Sequence, residues 1–366
     1  MMMSEVGSHR TQQNRGIKGF CLIFVVIAAM MLIGIATITV IIDPLFHYHA
    51  PLSSISYRYY TERYMNDGIA RNLEYDAIIT GTSMNQNFNP SEWDAMNGSK
   101  TIKITYSGGD YKEIADGLRR ALDRNSSVTT VIWGIDYNGL IRDADYTKYE
   151  GLPEYLFDDN VFNDVSYLFN KEIMIHATTV DVMNTLQGID GTTMDDYAKW
   201  DFGNCDTIDQ SQFGTYIVPP NEQPALSAFE REQVASNVNE NLVRLANDYP
   251  QVKFIFFYTP YSILYWEDLL REGELGKQHD ASVIATELML DTPNIELYDY
   301  FECDSITCNL QNYTDHGHYL ASINSWILQQ IQSSEYRLTK DNYIDKINRY
   351  YSFYENYDYE ALYKTD

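Results

Sequence analysis

Hydrophobic positions follow different rhythms along this chain. Residues 20 to 42, FCLIFVVIAAMMLIGIATITVII, carry no charged side chain. A helix rising ~1.5 Å per residue over such a run matches the ~30 Å of a bilayer core. From residue 76 the pattern changes to short β-branched runs separated by helical periodicity. Strands are expected at 76–80 (DAIIT), 101–105 (TIKIT), 129–135 (TTVIWGI), 253–258 (KFIFFY) and 295–299 (IELYD). Nearly continuous apolar character suits parallel strands covered on both faces. Tyr111, Ile114, Ala115, Leu118, Ala121 and Leu122 recur at helical spacing, as do Leu320, Ile323, Ile327 and Ile331; further helices are expected at about 228–248 and near 280–290.

This alternation predicts an α/β chain: a three-layer α/β/α domain around a five-stranded, mainly parallel, flavodoxin-like sheet. Residues 137–225 break the rhythm with acidic and aromatic stretches such as YLFDDNVFNDVSYLFN and read as a large insertion after the third strand. The expected layout is an N-terminal segment (1–19), a membrane span (20–42), a connector (43–73), the main domain (74–335) and a tyrosine-rich segment (336–366). The connector is too poor in Gly and Ser for a flexible coil and is expected to pack back on the domain. The last segment reads either as an amphipathic helix packed on the domain or as a glycan-binding platform.

Charge narrows the class of partner. The 366 residues include 52 acidic and 26 basic side chains, a formal net charge of −26 that repels polyanions, so no nucleic-acid partner is expected. Arg10, Arg15 and Lys18 precede the apolar run and Asp43 follows it, which by the positive-inside rule puts the N-terminus in the cytoplasm and the main domain outside. The run exceeds a signal-peptide core of ~7–15 residues and lacks an A-x-A site, so a single-pass, uncleaved anchor in the cell membrane is expected. Cys303 and Cys308 bracket DSIT, a spacing compatible with a small disulfide loop in an oxidising exterior; Cys21 lies in the span and Cys205 is left over.

In an open parallel sheet, ligands bind beyond the carboxyl ends of the strands. Gly81-Thr82-Ser83 follows the first strand, where a small residue permits a tight turn that exposes the serine hydroxyl. Asp315 and His318 stand three apart after the fifth strand. A serine needs an imidazole to take its proton and a carboxylate to hold the ring's tautomer, and Asp-x-x-His meets both needs. Tyr261 and Ser262, after the fourth strand, fall on the same rim as candidates for an acyl or sugar pocket. His316 with Asp315 and His318 makes an awkward metal set, and no metal or cofactor is expected.

The order of strand-end Gly-x-Ser, a Gly-bearing loop after the second strand and a near-C-terminal Asp-x-x-His resembles the SGNH (GDSL-like) hydrolase superfamily. The apolar anchor and DPLFHYH resemble its membrane-anchored bacterial envelope members, related to proteins of teichoic-acid D-alanylation and exopolysaccharide O-acetylation. The resemblance implies Ser83 as nucleophile, His318 as base and Asp315 as its orienting acid. It implies oxyanion donors from the Ser83 N–H and from Gly109 or Gly108 in YSGGDY, Gly109 preferred. Where the family carries an asparagine after the third strand, this chain has Asp136, and an ionised carboxylate cannot donate; either Asp136 is protonated, or Asn138 is the third donor, or the site works with two donors. The implied activity is esterase or O-acyltransferase chemistry on an acylated envelope glycan, with a membrane-bound acyltransferase as a possible partner. The competing class is a non-catalytic polysaccharide-binding scaffold on the same fold.

Overall fold

The computed structural model describes residues 2–149, 152–209 and 213–364. Met1, Thr365 and Asp366, and residues 150, 151 and 210–212 of the insertion, lie outside the described residues.

Helix α1 (Met2–Ile42) runs unbroken from the N-terminal segment through the apolar run, and Ile17–Ile42 is long and apolar enough to cross a membrane. The connector then turns back. Leu45, Phe46 and Tyr57 are buried, and α2 (Glu62–Asn72) packs on the domain through Met65 and Ile69. This helix was not evident from the polar stretch ERYMNDGIARN. Its Gly68 lies directly under the connector, where an added Cβ would stand 1.9 Å from the Leu45 carbonyl oxygen.

The sheet has six strands rather than five, in the order β2-β1-β3-β4-β5-β6. The strands β1 (Ala77–Gly81), β2 (Thr101–Thr105), β3 (Thr130–Ile135), β4 (Lys253–Tyr258) and β5 (Ile295–Asp299) pair in parallel. The sixth, β6 (Arg337–Leu338), adds antiparallel to the β5 edge. Two residues cannot display a periodicity, so β6 is invisible to pattern reading.

Helix α3 (Pro90–Asn97) follows β1 and α4 (Tyr111–Arg124) follows β2. The insertion after β3 contains α5 (Tyr137–Leu140), α6 (Val165–Leu168), a π-helical turn (Glu172–Ala177) continuing into α7 (Thr178–Gln187), and long irregular stretches. Helix α8 (Ala228–Val238) continues through a π-helical turn into α9 (Arg244–Asp248). After β4 come α10 (Ile263–Glu272) and α11 (Leu275–Leu290), and after β5 α12 (Asp304–Thr307), α13 (Ala321–Ser333) and α14 (Tyr343–Glu355). Helices α4, α8, α11 and the turn after α8 form one packed group, and α3 with α13 form another.

Much of the tyrosine is core. Tyr350, Tyr351 and Tyr354 of α14 are buried, and Tyr354 stacks on Trp266 at 4.4 Å, so these rings serve packing and are closed to an external glycan. The expected disulfide is absent: Cys303 and Cys308 are both free thiols. They flank the helical turn α12, and at ~100° per residue a five-residue step points their side chains ~140° apart.

Candidate active site

Strand β1 ends on Gly81, whose φ is +136° and whose missing Cβ would lie 2.4 Å from Asn85 Oδ1, so only glycine makes this exit without strain. The chain then bends into a 3₁₀ turn, Ser83–Asn85, capped by the Thr82 hydroxyl accepting the Met84 N–H at 3.4 Å. Asn324 of α13 fastens the turn from below, donating Nδ2–H to the Met84 carbonyl at 2.9 Å. Ser83 is thereby lifted to the carboxyl edge of the sheet.

The turn meets the loop that follows α12. Ser83 Oγ lies 2.8 Å from His318 Nε2, and His318 Nδ1 lies 2.8 and 3.1 Å from the two oxygens of Asp315. A carboxylate only accepts, so Nδ1 carries the proton and Nε2 is left bare to receive the Ser83 O–H. Asp315 Oδ1 also accepts the N–H groups of Gly317 (2.9 Å) and His318 (2.7 Å). Burial opposes charge on Asp315, but the His318 ring and these amides outweigh it and hold the carboxyl at about 2. The hydrogen bond that His318 donates to Asp315 raises the ring above its ordinary value against the opposing effect of burial.

Asp136 lies at the base of the site, buried, and is saturated by hydroxyls. It accepts from Thr82, from Thr259 at 3.0 Å and from Tyr261 at 2.9 Å. Burial raises its carboxyl above the ordinary range while those hydroxyls pull it back. Neither side-chain oxygen is aimed at a substrate as a donor. Asn138 is better placed: it is exposed on the cleft wall, and its Oδ1 accepts the Tyr265 O–H at 2.9 Å, turning Nδ2 the other way.

The two glycines after β2 differ. The Gly109 N–H is committed to the Tyr106 carbonyl at 2.7 Å, whereas the amides of Gly108 and Ser83 have no acceptor among the described residues. Gly108 adopts φ +60° in this turn. Ser83, His318, Asp315, Asp136, Asn138 and both glycines line one cleft of about 370 Å³, together with Tyr261, Arg142 and Lys148. Ser262 does not join them. It is buried, caps α10 by accepting the Leu264 N–H at 3.2 Å, and donates its hydroxyl to the His316 carbonyl at 2.7 Å. Its place is therefore in the support of the Asp315–His318 loop.

Several supporting residues escape sequence reasoning. Trp200, from the insertion, donates its indole N–H to the Ser83 carbonyl at 3.0 Å and meets the His318 ring edge-on with centroids 5.6 Å apart. Lys103 of β2 is fully buried, with its ammonium donating to the carbonyls of Gln86 (2.6 Å), Phe88 (2.9 Å) and Asp195 (3.0 Å). Burial brings Lys103 down to about 7. It thus ties the loop after Ser83 to the insertion. No spacing rule marks a lone tryptophan in AKWDFG, and a lysine within TIKIT reads as an ordinary solvent-facing alternation.

No protein-family model matches the chain, and no curated protein matches it. Among solved structures it is similar to one described as "a putative platelet activating factor from Streptococcus pneumonia", at 11% identity and a TM-score of 0.39, covering 74% of this chain and 90% of that chain.

Proposed function

We propose that this chain is a serine esterase or O-acyltransferase of the SGNH type, acting on acyl esters of a cell-envelope glycan from a membrane-anchored outer domain. The observation that carries the reading is the unbroken relay from Ser83 Oγ to His318 Nε2 (2.8 Å) and from His318 Nδ1 to Asp315 (2.8 Å), built from residues over two hundred positions apart in sequence. The resemblance in motif order and the open, mixed polar and apolar cleft support the substrate class.

In the proposed reaction the Ser83 oxygen attacks the acyl carbonyl carbon as its proton passes to His318 Nε2. The carbonyl π electrons move to oxygen, and that oxyanion is received by the Ser83 and Gly108 N–H groups, with Asn138 Nδ2 as the side-chain donor. Preorganised donors of this kind are worth ~3 kcal/mol each in comparable sites. Gly108 takes the role in preference to Gly109 because its amide is uncommitted. The C–O bond to the leaving alcohol then breaks, the alcohol oxygen takes the proton from His318, and an acyl-Ser83 ester remains. Water resolves it as hydrolysis; a sugar hydroxyl resolves it as transfer. Asp136 holds Thr82 and Tyr261 in place beneath these steps, and Tyr261 walls the cleft.

The same Asp136 favours a second reading, a non-catalytic glycan-binding scaffold, since an acceptor stands where a donor would complete the oxyanion site. Incubating the full chain in lipid nanodiscs with acetylated and D-alanylated envelope polymers, and weighing released and transferred acyl groups by mass spectrometry, separates the two. Loss of acyl groups that depends on Ser83 supports catalysis; intact polymers that nevertheless bind support the scaffold.

A further inference from the structure

The insertion carries a feature that the cleft does not use. Phe162, Val165, Phe169, Ile175, Met183 and Leu186 project outward from the α6–α7 region, Phe162 with 88% and Leu186 with 77% of its surface exposed. Exposed apolar side chains scattered singly need no explanation, but six within residues 162–186 are a concentration that points to an interaction surface. Its position identifies what covers it.

The α6–α7 region packs against the last turns of α1. Thr39 donates its hydroxyl to the Leu168 carbonyl at 3.4 Å, and a largely apolar hollow of about 340 Å³ lies between Ile35, Ile38 and Thr39 on one side and Met174, Thr178 and Val182 on the other. Ile35 and Ile38 precede the end of α1 at Ile42 by seven and four residues. At ~1.5 Å per residue they sit ~10 and ~6 Å inside that end, the depth at which interfacial helices bury their apolar faces.

The attachment is firm. Asp43 accepts the N–H groups of His47 (3.0 Å), Tyr48 (2.7 Å) and His49 (3.0 Å), and also the Tyr167 hydroxyl (2.6 Å). Asp164 accepts the Tyr48 hydroxyl at 3.0 Å and pairs with His47 Nε2 at 3.1 Å. The DPLFHYH stretch therefore clamps the insertion to the end of α1, and the two cannot sit at independent heights.

With Ile17–Ile42 taken as a bilayer span, we infer that the α6–α7 region of the insertion is a second membrane contact, seated in the headgroup–acyl boundary of the same leaflet. The occupant of its apolar face is lipid. Because the same insertion also delivers Trp200 to Ser83, the cleft is held at a fixed height and tilt over the bilayer, whichever reaction it performs.

Spin labelling tests this on the full chain. Cys21, Cys205, Cys303 and Cys308 are replaced by serine, and single cysteines are introduced as F162C, L186C, I27C within the span and F229C at the exposed start of α8. Each variant is reconstituted in phosphatidylethanolamine–phosphatidylglycerol vesicles and examined by power saturation with oxygen and with a water-soluble nickel chelate. All four sites are exposed, and equal melting profiles establish that the fold is unchanged. The expected result is oxygen-dominated relaxation at positions 27, 162 and 186, and nickel-dominated relaxation at 229. Nickel-dominated relaxation at 162 and 186 matching 229, with 27 in lipid, overturns the second contact; nickel access at 27 overturns the span on which it depends.

Discussion

Trp200 offers the sharpest quantitative test of how the insertion serves the cleft. Trp200→Phe removes the indole N–H donated to the Ser83 carbonyl while keeping a ring beside His318. The carbonyl is not orphaned, because the Gln86 N–H also reaches it at 3.3 Å. The loss is therefore that of one ordinary hydrogen bond, about 0.5–1.5 kcal/mol, rather than the full penalty of a buried unsatisfied acceptor. If the bond positions the nucleophile, that energy appears in the rate, as a roughly 2- to 13-fold fall in the rate constant for modification of Ser83 by a fluorophosphonate. The midpoint of thermal unfolding moves little, since Trp200 is only partly buried. Stopped-flow or gel-resolved labelling over a range of probe concentrations gives the maximal rate and the half-saturating concentration separately. A fall confined to the maximal rate fits positioning. An unchanged rate, or a fall matched by a large loss of thermal stability, refutes it.

Other expectations follow from the same geometry. Labelling requires neutral His318, whose proton affinity Asp315 raises, so the rate falls as pH drops through a value above ~6.5. Asp315→Asn removes the main raising interaction; a pH–rate profile is expected to show a lower plateau with the acid limb displaced to lower pH, and an unmoved limb contradicts the pairing. For stability the sign is fixed by a depressed carboxyl: what Asp315 contributes is present above ~3.9 and is lost as pH falls toward about 2, which acid titration monitored by tryptophan fluorescence reads. Lys103→Met strips the donor from three carbonyls, at about 1–3 kcal/mol each, against release of the lysine's own burial cost. A net loss of ~2–4 kcal/mol is expected in urea melts, and an equally stable variant rules out the tie it is assigned. Gly68→Ala places a Cβ 1.9 Å from the Leu45 carbonyl, and overpacking of about 1–3 kcal/mol or more should appear as a lowered melting temperature; unchanged melting means the connector does not press on α2 as described.

How much of this was legible in the sequence depended on whether a residue's role is local. The strands of DAIIT, TIKIT, TTVIWGI, KFIFFY and IELYD were readable because a strand covered on both faces must be apolar throughout. Ser83, Asp315 and His318 stood out because a glycine-led turn and an Asp-x-x-His step each carry their geometry within a few residues. Trp200, Lys103 and the hydroxyl cage around Asp136 did not, since each acts on a partner distant in sequence. Helix α10 was hidden because YSILYW mixes packing faces, its Tyr265 and Trp266 both being buried. Cys303 and Cys308 misled through spacing alone: five residues suit a loop, but the chain between them is helical.

Ser83 is proposed to be made nucleophilic by His318 and Asp315. The most direct measurement is covalent trapping with a fluorophosphonate at pH 8, followed by peptide mass mapping of the full chain and of Ser83→Ala and His318→Ala. A single adduct is expected on the peptide containing Ser83, absent from Ser83→Ala and reduced by at least ~10³-fold in rate in His318→Ala. A folded wild-type chain that takes up no label, or that labels equally well without His318, contradicts the proposal.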